Sequence, residues 1–172
     1  VFLEARSKDG EELTNIINFY DYVEVQPPEV YSHLLDLSDF KNETELKEHL
    51  KKKDFVIIME GFLDVIRAST IGVDNCVATM GTAFTKQHAS LIKKLTDNIV
   101  LCYDGDAAGE KATLSTIEIL EGSNLNIKVI RLEDNLDPDE YILSNGKDAF
   151  LKKIDKALSI IEYKMSILKK DK

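Results

Sequence analysis

Short apolar runs alternate with longer amphipathic runs along the chain from residue 54 onward. The short runs predict buried strands, and the longer runs, in which apolar residues recur at helical spacing, predict helices. The predicted strands are 54–59, 75–79, 98–103 and 126–132, and the predicted helices are 62–70, 85–95 and 107–122. Because strands and helices alternate, the sequence predicts an α/β fold with a four-stranded, mainly parallel sheet and helices on both faces.

The segments on either side of this alternating region have different patterns. Residues 147–170 place apolar side chains at helical spacing, which predicts one or two C-terminal amphipathic helices. Residues 42–54 predict a helix that leads into the first strand, and the Pro27-Pro28 pair interrupts regular structure before it. We therefore divide the chain into an N-terminal segment of uncertain order (1–41), a core (42–146) and a C-terminal helical extension (147–172).

The formal net charge of the 172 residues is −9, and it is unevenly distributed. The first 50 residues carry 12 acidic and 4 basic residues, whereas the remainder carries 19 and 18. A protein that binds nucleic acid through its own charge presents a basic face. Because no such face dominates this sequence, contact with a polynucleotide would require metal ions or a partner segment to supply positive charge.

Cysteine usage and hydropathy indicate the compartment. The two cysteines, Cys76 and Cys102, lie inside apolar runs and lack the spacing of metal ligands. The sequence contains neither an apolar stretch long enough to span a membrane nor a signal-peptide pattern. We therefore expect a cytoplasmic protein with buried free thiols, no zinc site and no membrane contact.

Carboxylates follow three of the four predicted strands. In an open parallel sheet, ligands bind outside the carboxyl ends of the strands, so these side chains are expected to share one edge. The residues are Glu60 and Asp64 after the first strand, Asp104 and Asp106 after the third, and Asp137 and Asp139 after the fourth. Carboxylates this close repel one another unless a cation neutralises them, and hard divalent ions prefer oxygen ligands. The pattern predicts a Mg²⁺ site, with Mn²⁺ as a substitute, for chemistry on phosphate esters or nucleotides.

A structural interpretation competes with the metal site at single positions. An Asp that follows a strand is commonly a turn residue or a helix N-cap, and Asp106 is placed to cap the helix at 107–122. Asp64 is alternatively a residue on the helix surface. The coincidence of three acidic strand ends favours the metal site over these separate explanations.

Four motifs make the chain similar to a known family. The stretches "EGFLDVI" (60–66) and "YDGDAAGEKA" (103–112) resemble the two acidic motifs of the TOPRIM domain, which bacterial primases, topoisomerases and some nucleases share. The stretches "VATMGTAFTKQH" (77–88) and "LDPDEYI" (136–142) resemble specifically the DnaG type of bacterial DNA primase. The likeness covers about residues 45–165.

The resemblance implies a TOPRIM-like Rossmannoid core that acts as a nucleotidyltransferase of the DNA-directed RNA polymerase type. Such a core makes short RNA primers in DNA replication from ribonucleoside triphosphates on a single-stranded DNA template. By resemblance, Glu60, Asp104 and Asp106 are catalytic and bind Mg²⁺, and Asp64, Asp137 and Asp139 complete the metal site. The nucleotide-contact candidates are Thr82, Thr85, Lys86, His88 and Lys111, each of which is alternatively a loop, cap or surface residue.

Departures from the primase pattern keep other functions open. The zinc-binding module, the basic subdomain and the helicase-binding domain of full primases have no counterpart here, so a replicative helicase would be contacted only through an absent domain. The alternatives are phosphodiester cleavage of the TOPRIM nuclease type and a metal-binding, non-catalytic fragment. Residues 1–35 instead resemble a segment of a Gram-positive C-family replicative DNA polymerase near its PHP domain, which indicates a recombined, truncated or designed chain.

Overall fold

A computed structural model describes the backbone of residues 2–8, 11–17, 53–79 and 83–170, and the side chains of 53–79 and 83–169. The predicted helix at 42–54 lies almost wholly outside the described residues, as do Thr82 and the proline pair. The division of the chain at residues 41 and 146 therefore stays a prediction. The predicted α/β core lies within the described residues.

The predicted strands and helices of the core are present, with bounds that differ by a few residues. In chain order the described elements are β1 (Phe2–Lys8), β2 (Glu11–Ile17), β3 (Val56–Met59), α1 (Phe62–Thr70), β4 (Cys76–Ala78), α2 (Lys86–Lys93), β5 (Asn98–Leu101), α3 (Ala107–Leu120), β6 (Asn126–Val129), α4 (Pro138–Asp155), β7 (Leu158–Ser159) and α5 (Ile160–Lys170). Over these residues the sheet order is β2-β1-β4-β3-β5-β6-β7. The central β4-β3-β5-β6 strands are parallel, which confirms the predicted four-stranded core.

Strands β3, β4 and β5 are buried on both faces because helices cover both sides of the sheet, whereas β6 is largely exposed or half-buried. Successive side chains of a strand point to opposite faces, and the strands accordingly contribute to two apolar clusters. Ile57 and Met59 join the cluster that contains Phe150, whereas Val56 and Ile58 join the cluster that contains Ile117. This two-sided burial explains why the strands read as continuous apolar runs in the sequence.

Two additions extend the sheet beyond the predicted core: an antiparallel β1–β2 pair, whose β1 runs parallel to β4, and the antiparallel strand β7. At one edge β1 and β2 form a hairpin in which Lys8 pairs with Glu11, and β1 meets β4 where Phe2 pairs with Ala78. At the other edge the two-residue strand β7 pairs with β6. The hairpin lies in a segment for which we predict no strand, although Asp9-Gly10 between two β-forming runs is a known hairpin signal.

The C-terminal region contains two helices, in agreement with the predicted one or two. Helix α4 begins at Pro138, earlier than the predicted residue 147, because Asp137 caps it and proline is favoured in the first turn. Gly146, with φ 80° and ψ 174°, interrupts α4. In the second half of α4, the side chain of Phe150 is completely buried. Among the described helices, none combines the length and apolarity needed to cross a bilayer.

Candidate metal-binding edge of the sheet

The loops after β3 and β5 and the start of α4 meet at the carboxyl end of the parallel sheet. Gly105 donates its backbone N–H to the carbonyl of Leu136 at 2.9 Å, and Asp139 donates its N–H to Asp64 Oδ1 at 3.2 Å. We call the six carboxylates gathered here the acidic edge: Glu60, Asp64, Asp104, Asp106, Asp137 and Asp139. The predicted convergence of three acidic strand ends is therefore present in the fold.

Two glycines allow the backbone segments of the acidic edge to approach closely. A Cβ built on Gly105 lies 3.0 Å from the carbonyl oxygen of Leu132 and 3.1 Å from that of Leu136. A Cβ built on Gly109 lies only 2.2 Å from the carbonyl oxygen of Asp104. The first turn of α3 therefore packs against the backbone of Asp104 at a distance that only glycine permits. The role of Gly109 is absent from the sequence-based prediction.

Glu60 holds a buried carboxylate oxygen without a partner. Among the described residues nothing donates a hydrogen bond to its Oε1 atom. Burial raises the pKa of Glu60, and the negative charges of Asp104 and Asp106 raise it further, whereas the backbone of Asp104 acts in the opposite direction. A carboxylate in this setting is stabilised by a proton or a cation.

Asp104 and Asp106 lie on either side of Gly105 but have different surroundings. Burial raises the pKa of Asp104, with additional contributions from the charges of Asp137, Asp106 and Glu140. Asp106 is the N-cap of α3, since its Oδ1 accepts the N–H of Gly109 at 2.8 Å. The capping role is thus confirmed, and it places the charge of Asp106 next to Asp104 and Glu60. Both aspartates border a pocket of about 320 Å³, which Arg131 and Tyr163 also line.

Asp64 is buried within the acidic edge, with 6% of its surface exposed, so the helix-surface interpretation does not hold. Its Oδ2 accepts the N–H of Gly61 at 3.0 Å, and its Oδ1 accepts the N–H of Asp139. Burial raises the pKa of Asp64 to about 7 despite these two hydrogen bonds. Asp64 therefore connects α1 to the first turn of α4.

Asp137 and Asp139 both have partners within the fold. Asp137 caps α4 by accepting the N–H of Glu140 at 2.7 Å, and Glu140 Oε2 accepts the N–H of Asp137 at 3.3 Å. Asp139 Oδ1 forms an ion pair with Arg67 Nε at 2.5 Å. The acidic segment after the last predicted core strand thus contributes to the helix start as well as to the charge of the edge.

The acidic edge fits a hard divalent cation in its chemistry. Among the described side chains, no three of His, Cys, Asp and Glu are already grouped closely enough to enclose a metal ion. The donor set nevertheless consists of carboxylates, and Glu60 presents an oxygen without a partner. Burial raises the pKa values of Glu60 and Asp104, and repulsion from neighbouring carboxylates raises them further. These are the conditions that a Mg²⁺ or Mn²⁺ ion relieves.

The nucleotide-contact candidates differ in accessibility. Thr85 caps α2, and His88 completes the cap because its Nδ1 accepts the N–H of Thr85 at 3.2 Å. His88 is buried and packs edge-on against the ring of Phe84, with the centroids 5.5 Å apart. Lys86 and Lys111 have exposed side chains, and Thr82 is outside the described residues. Contact of these residues with a nucleotide stays a prediction, and the two lysines are the most accessible of the described ones.

Removing the charge of Asp104 is expected to stabilise the metal-free protein. Because burial and neighbouring carboxylates disfavour its ionised form, Asp104→Asn should raise the melting temperature by a few degrees at neutral pH. Asp106→Asn should leave it nearly unchanged, since Asn caps a helix about as well as Asp. Thermal unfolding in the presence of a chelator, followed by circular dichroism, measures the melting temperatures of both variants. A lower melting temperature for Asp104→Asn would mean that this carboxylate supports the fold itself.

The region that contains the acidic edge is similar to a known protein family. The Toprim-like family matches residues 57–142. A DNA primase of Staphylococcus aureus (strain COL) is 47% identical over 130 residues, which cover 74% of this chain and 22% of that primase. The chain therefore spans less than a quarter of the length of this curated relative.

Solved structures agree with the sequence comparison. The Aquifex aeolicus primase, containing zinc-binding and RNA polymerase domains, is 36% identical with a TM-score of 0.64, and the match covers 67% of this chain and 29% of that one. A DnaG primase catalytic domain bound to single-stranded DNA is 27% identical with a TM-score of 0.61, covering 69% and 40%. The fold is thus shared with these proteins.

Proposed function

The chain belongs to the Toprim-like family and is of the DnaG primase type, and from this premise we propose that it forms a nucleotidyl-transfer core for primer synthesis. The reaction would join ribonucleotides into short RNA primers on single-stranded DNA, with Mg²⁺ or Mn²⁺ as cofactor. One observation carries the proposal: the carboxylate of Glu60, whose buried Oε1 atom has no hydrogen-bond partner among the described residues, lies with Asp104 and Asp106 at the carboxyl end of the parallel sheet.

Glu60, Asp104 and Asp106 are the proposed metal-binding side chains. When bound, the divalent cation would stabilise the attacking and leaving oxygens of phosphoryl transfer. Because the pKa of Glu60 is raised, its carboxyl group exchanges a proton closer to neutral pH than an ordinary glutamate does. Asp106 holds its position through the cap of α3, so the two aspartates keep a fixed relation to that helix.

Single-stranded DNA and ribonucleoside triphosphates are the proposed partners. The solved DnaG catalytic domain bound to single-stranded DNA supports the template assignment. Residues 51–172 carry nearly equal numbers of acidic and basic residues, so the chain offers little net charge of its own to a polynucleotide. Exposed Lys86 and Lys111 are the proposed phosphate contacts on α2 and α3.

The proposal is tested by metal binding before activity is assayed. Titration with Mn²⁺, followed by electron paramagnetic resonance, should show saturable binding to the parent chain and its loss in Glu60→Gln with Asp104→Asn. Glu118→Gln is a matched control, because Glu118 is exposed on α3 and lies about 18 Å along the helix axis from Asp106. This control should bind Mn²⁺ like the parent.

Primer synthesis is then measured with labelled ribonucleotides and a single-stranded template. We expect metal-dependent extension that the Glu60→Gln, Asp104→Asn double variant lacks and Glu118→Gln retains. Absence of Mn²⁺ binding in a folded parent would contradict the proposed function. Cleavage of a labelled strand without ribonucleotides would instead assign the acidic edge to phosphodiester hydrolysis.

A further inference from the structure

Arg67 neutralises one carboxylate of the acidic edge. Its Nε atom lies 2.5 Å from Asp139 Oδ1, and the two side chains are 35% and 26% exposed. Within the described part of the chain, Asp139 is the one member of the acidic edge that has an ion-pair partner. The other five carboxylates have no ion-pair partner among the described side chains, although Arg131 lines the pocket that Asp104 and Asp106 border.

Helix spacing and tertiary contacts together place Arg67 beside the carboxylate of Asp139. Arg67 follows Asp64 by three residues on α1, so both side chains lie on the same face of the helix. That face packs against the first turn of α4, where Asp139 donates its backbone N–H to Asp64 and accepts the hydrogen bond of Arg67 through its side chain. Asp139 is therefore held at its backbone by one residue of α1 and at its carboxylate by another.

We propose that Arg67 is an internal counter-ion that competes with a divalent cation for the carboxylate of Asp139. The inference rests on the proposed function, since it takes the acidic edge to bind such a cation. A divalent ion that coordinates Oδ1 of Asp139 displaces the guanidinium, and one that coordinates Oδ2 is repelled by the positive charge of Arg67 beside it. Arg67 is in this sense a positioning residue that sets how strongly the Asp139 side of the edge binds metal.

A purely structural role for Arg67 makes a different prediction. If the ion pair only fastened α1 to α4, its loss would loosen the start of α4 and would leave metal binding unchanged or weaken it. If Arg67 is a counter-ion, removing its charge tightens metal binding, and the gain depends on Asp139. Metal affinity therefore separates the two roles, whereas thermal stability alone does not.

The test uses Mn²⁺ titrations of the parent and of Arg67→Gln, Arg67→Met, Asp139→Asn and the Arg67→Gln, Asp139→Asn double variant. Gln keeps a neutral donor for Asp139, and Met keeps the apolar stem without a donor. We expect Arg67→Gln and Arg67→Met to bind Mn²⁺ about three- to tenfold more tightly than the parent. The gain should disappear in the double variant. Lys164→Met, which removes an exposed cation paired with Glu121 at the end of α3 remote from Asp106, should leave the affinity unchanged.

The outcomes distinguish this inference from the proposed function. Unchanged or weaker binding in a folded Arg67→Gln, while Glu60→Gln with Asp104→Asn still loses Mn²⁺, would overturn the counter-ion role and leave the proposed function standing. A gain that persists in the double variant would also overturn it, because the gain would not arise from Asp139. Absence of saturable Mn²⁺ binding in the parent and in both Arg67 variants would overturn both.

Discussion

Gly109→Ala is expected to destabilise the protein by more than about 4 kcal/mol, because the new methyl group has no space. Its Cβ would lie 2.2 Å from the carbonyl oxygen of Asp104 and 2.8 Å from the nitrogen and carbonyl carbon of the same residue. These are backbone atoms, which cannot rotate away as a side chain does. Either α3 moves away from the sheet or the Asp104 loop is displaced, and both changes disrupt the acidic edge.

Helix propensity predicts the opposite sign for this substitution. In an unhindered helix, Gly→Ala stabilises by about 1 kcal/mol. Chemical unfolding of the parent and the variant, followed by circular dichroism, measures the free energy of unfolding directly. The matched control is Gly122→Ala, where nothing lies within 4 Å of the new Cβ but φ is +84°. The control should cost only about 1 kcal/mol from backbone strain. A Gly109→Ala protein that is as stable as the parent would contradict the close packing of α3 on Asp104.

The metal-free protein is expected to lose stability as the pH rises from 5 to 8, in large part through Asp64. Burial raises the pKa of its carboxyl group in the fold to about 7, above the ordinary value of 3.8. Between these two values the folded protein holds a proton that the unfolded chain releases, so stability falls with increasing pH and levels off above pH 7. From pH 5 to pH 8 the contribution of Asp64 is about 2–3 kcal/mol.

Comparison with Asp64→Asn isolates this contribution. Burial lowers the pKa of His88, which makes stability rise with pH over the acidic part of the same range and partly offsets the effect in the parent. Because His88 is present in both proteins, the difference between their pH profiles reports Asp64. Urea unfolding at pH 5, 6, 7 and 8 in the presence of a chelator should give a flatter profile for the variant. Parallel profiles would show that Asp64 is ionised throughout and that its two backbone hydrogen bonds outweigh its burial.

The elements of the core were predictable because their patterns are local. Apolar runs such as Val56–Met59 are buried on both faces, and this produces a signal within a few consecutive residues. The convergence of Glu60, Asp104 and Asp137 was predictable as well, since parallel strands direct their carboxyl ends to one edge. The antiparallel β1–β2 hairpin was not predicted from the sequence.

The roles of individual carboxylates were decided by tertiary contacts. Asp64 and Asp139 are separated by 75 residues, and Arg67 and Asp139 by 72 residues, yet one backbone hydrogen bond and one ion pair join them. Neither the hydrophobic periodicity nor a sequence motif identifies which distant residue forms such a contact.

The sequence by itself therefore determined which strands and helices form the core and which edge of the sheet is acidic, because hydrophobic spacing and strand direction are local properties. The tertiary structure decided which carboxylates are buried, capped, paired or left without a partner, because burial and electrostatic neighbours arise only when distant segments pack together. The same reason explains Gly109, whose necessity comes from the backbone of Asp104 lying against the first turn of α3.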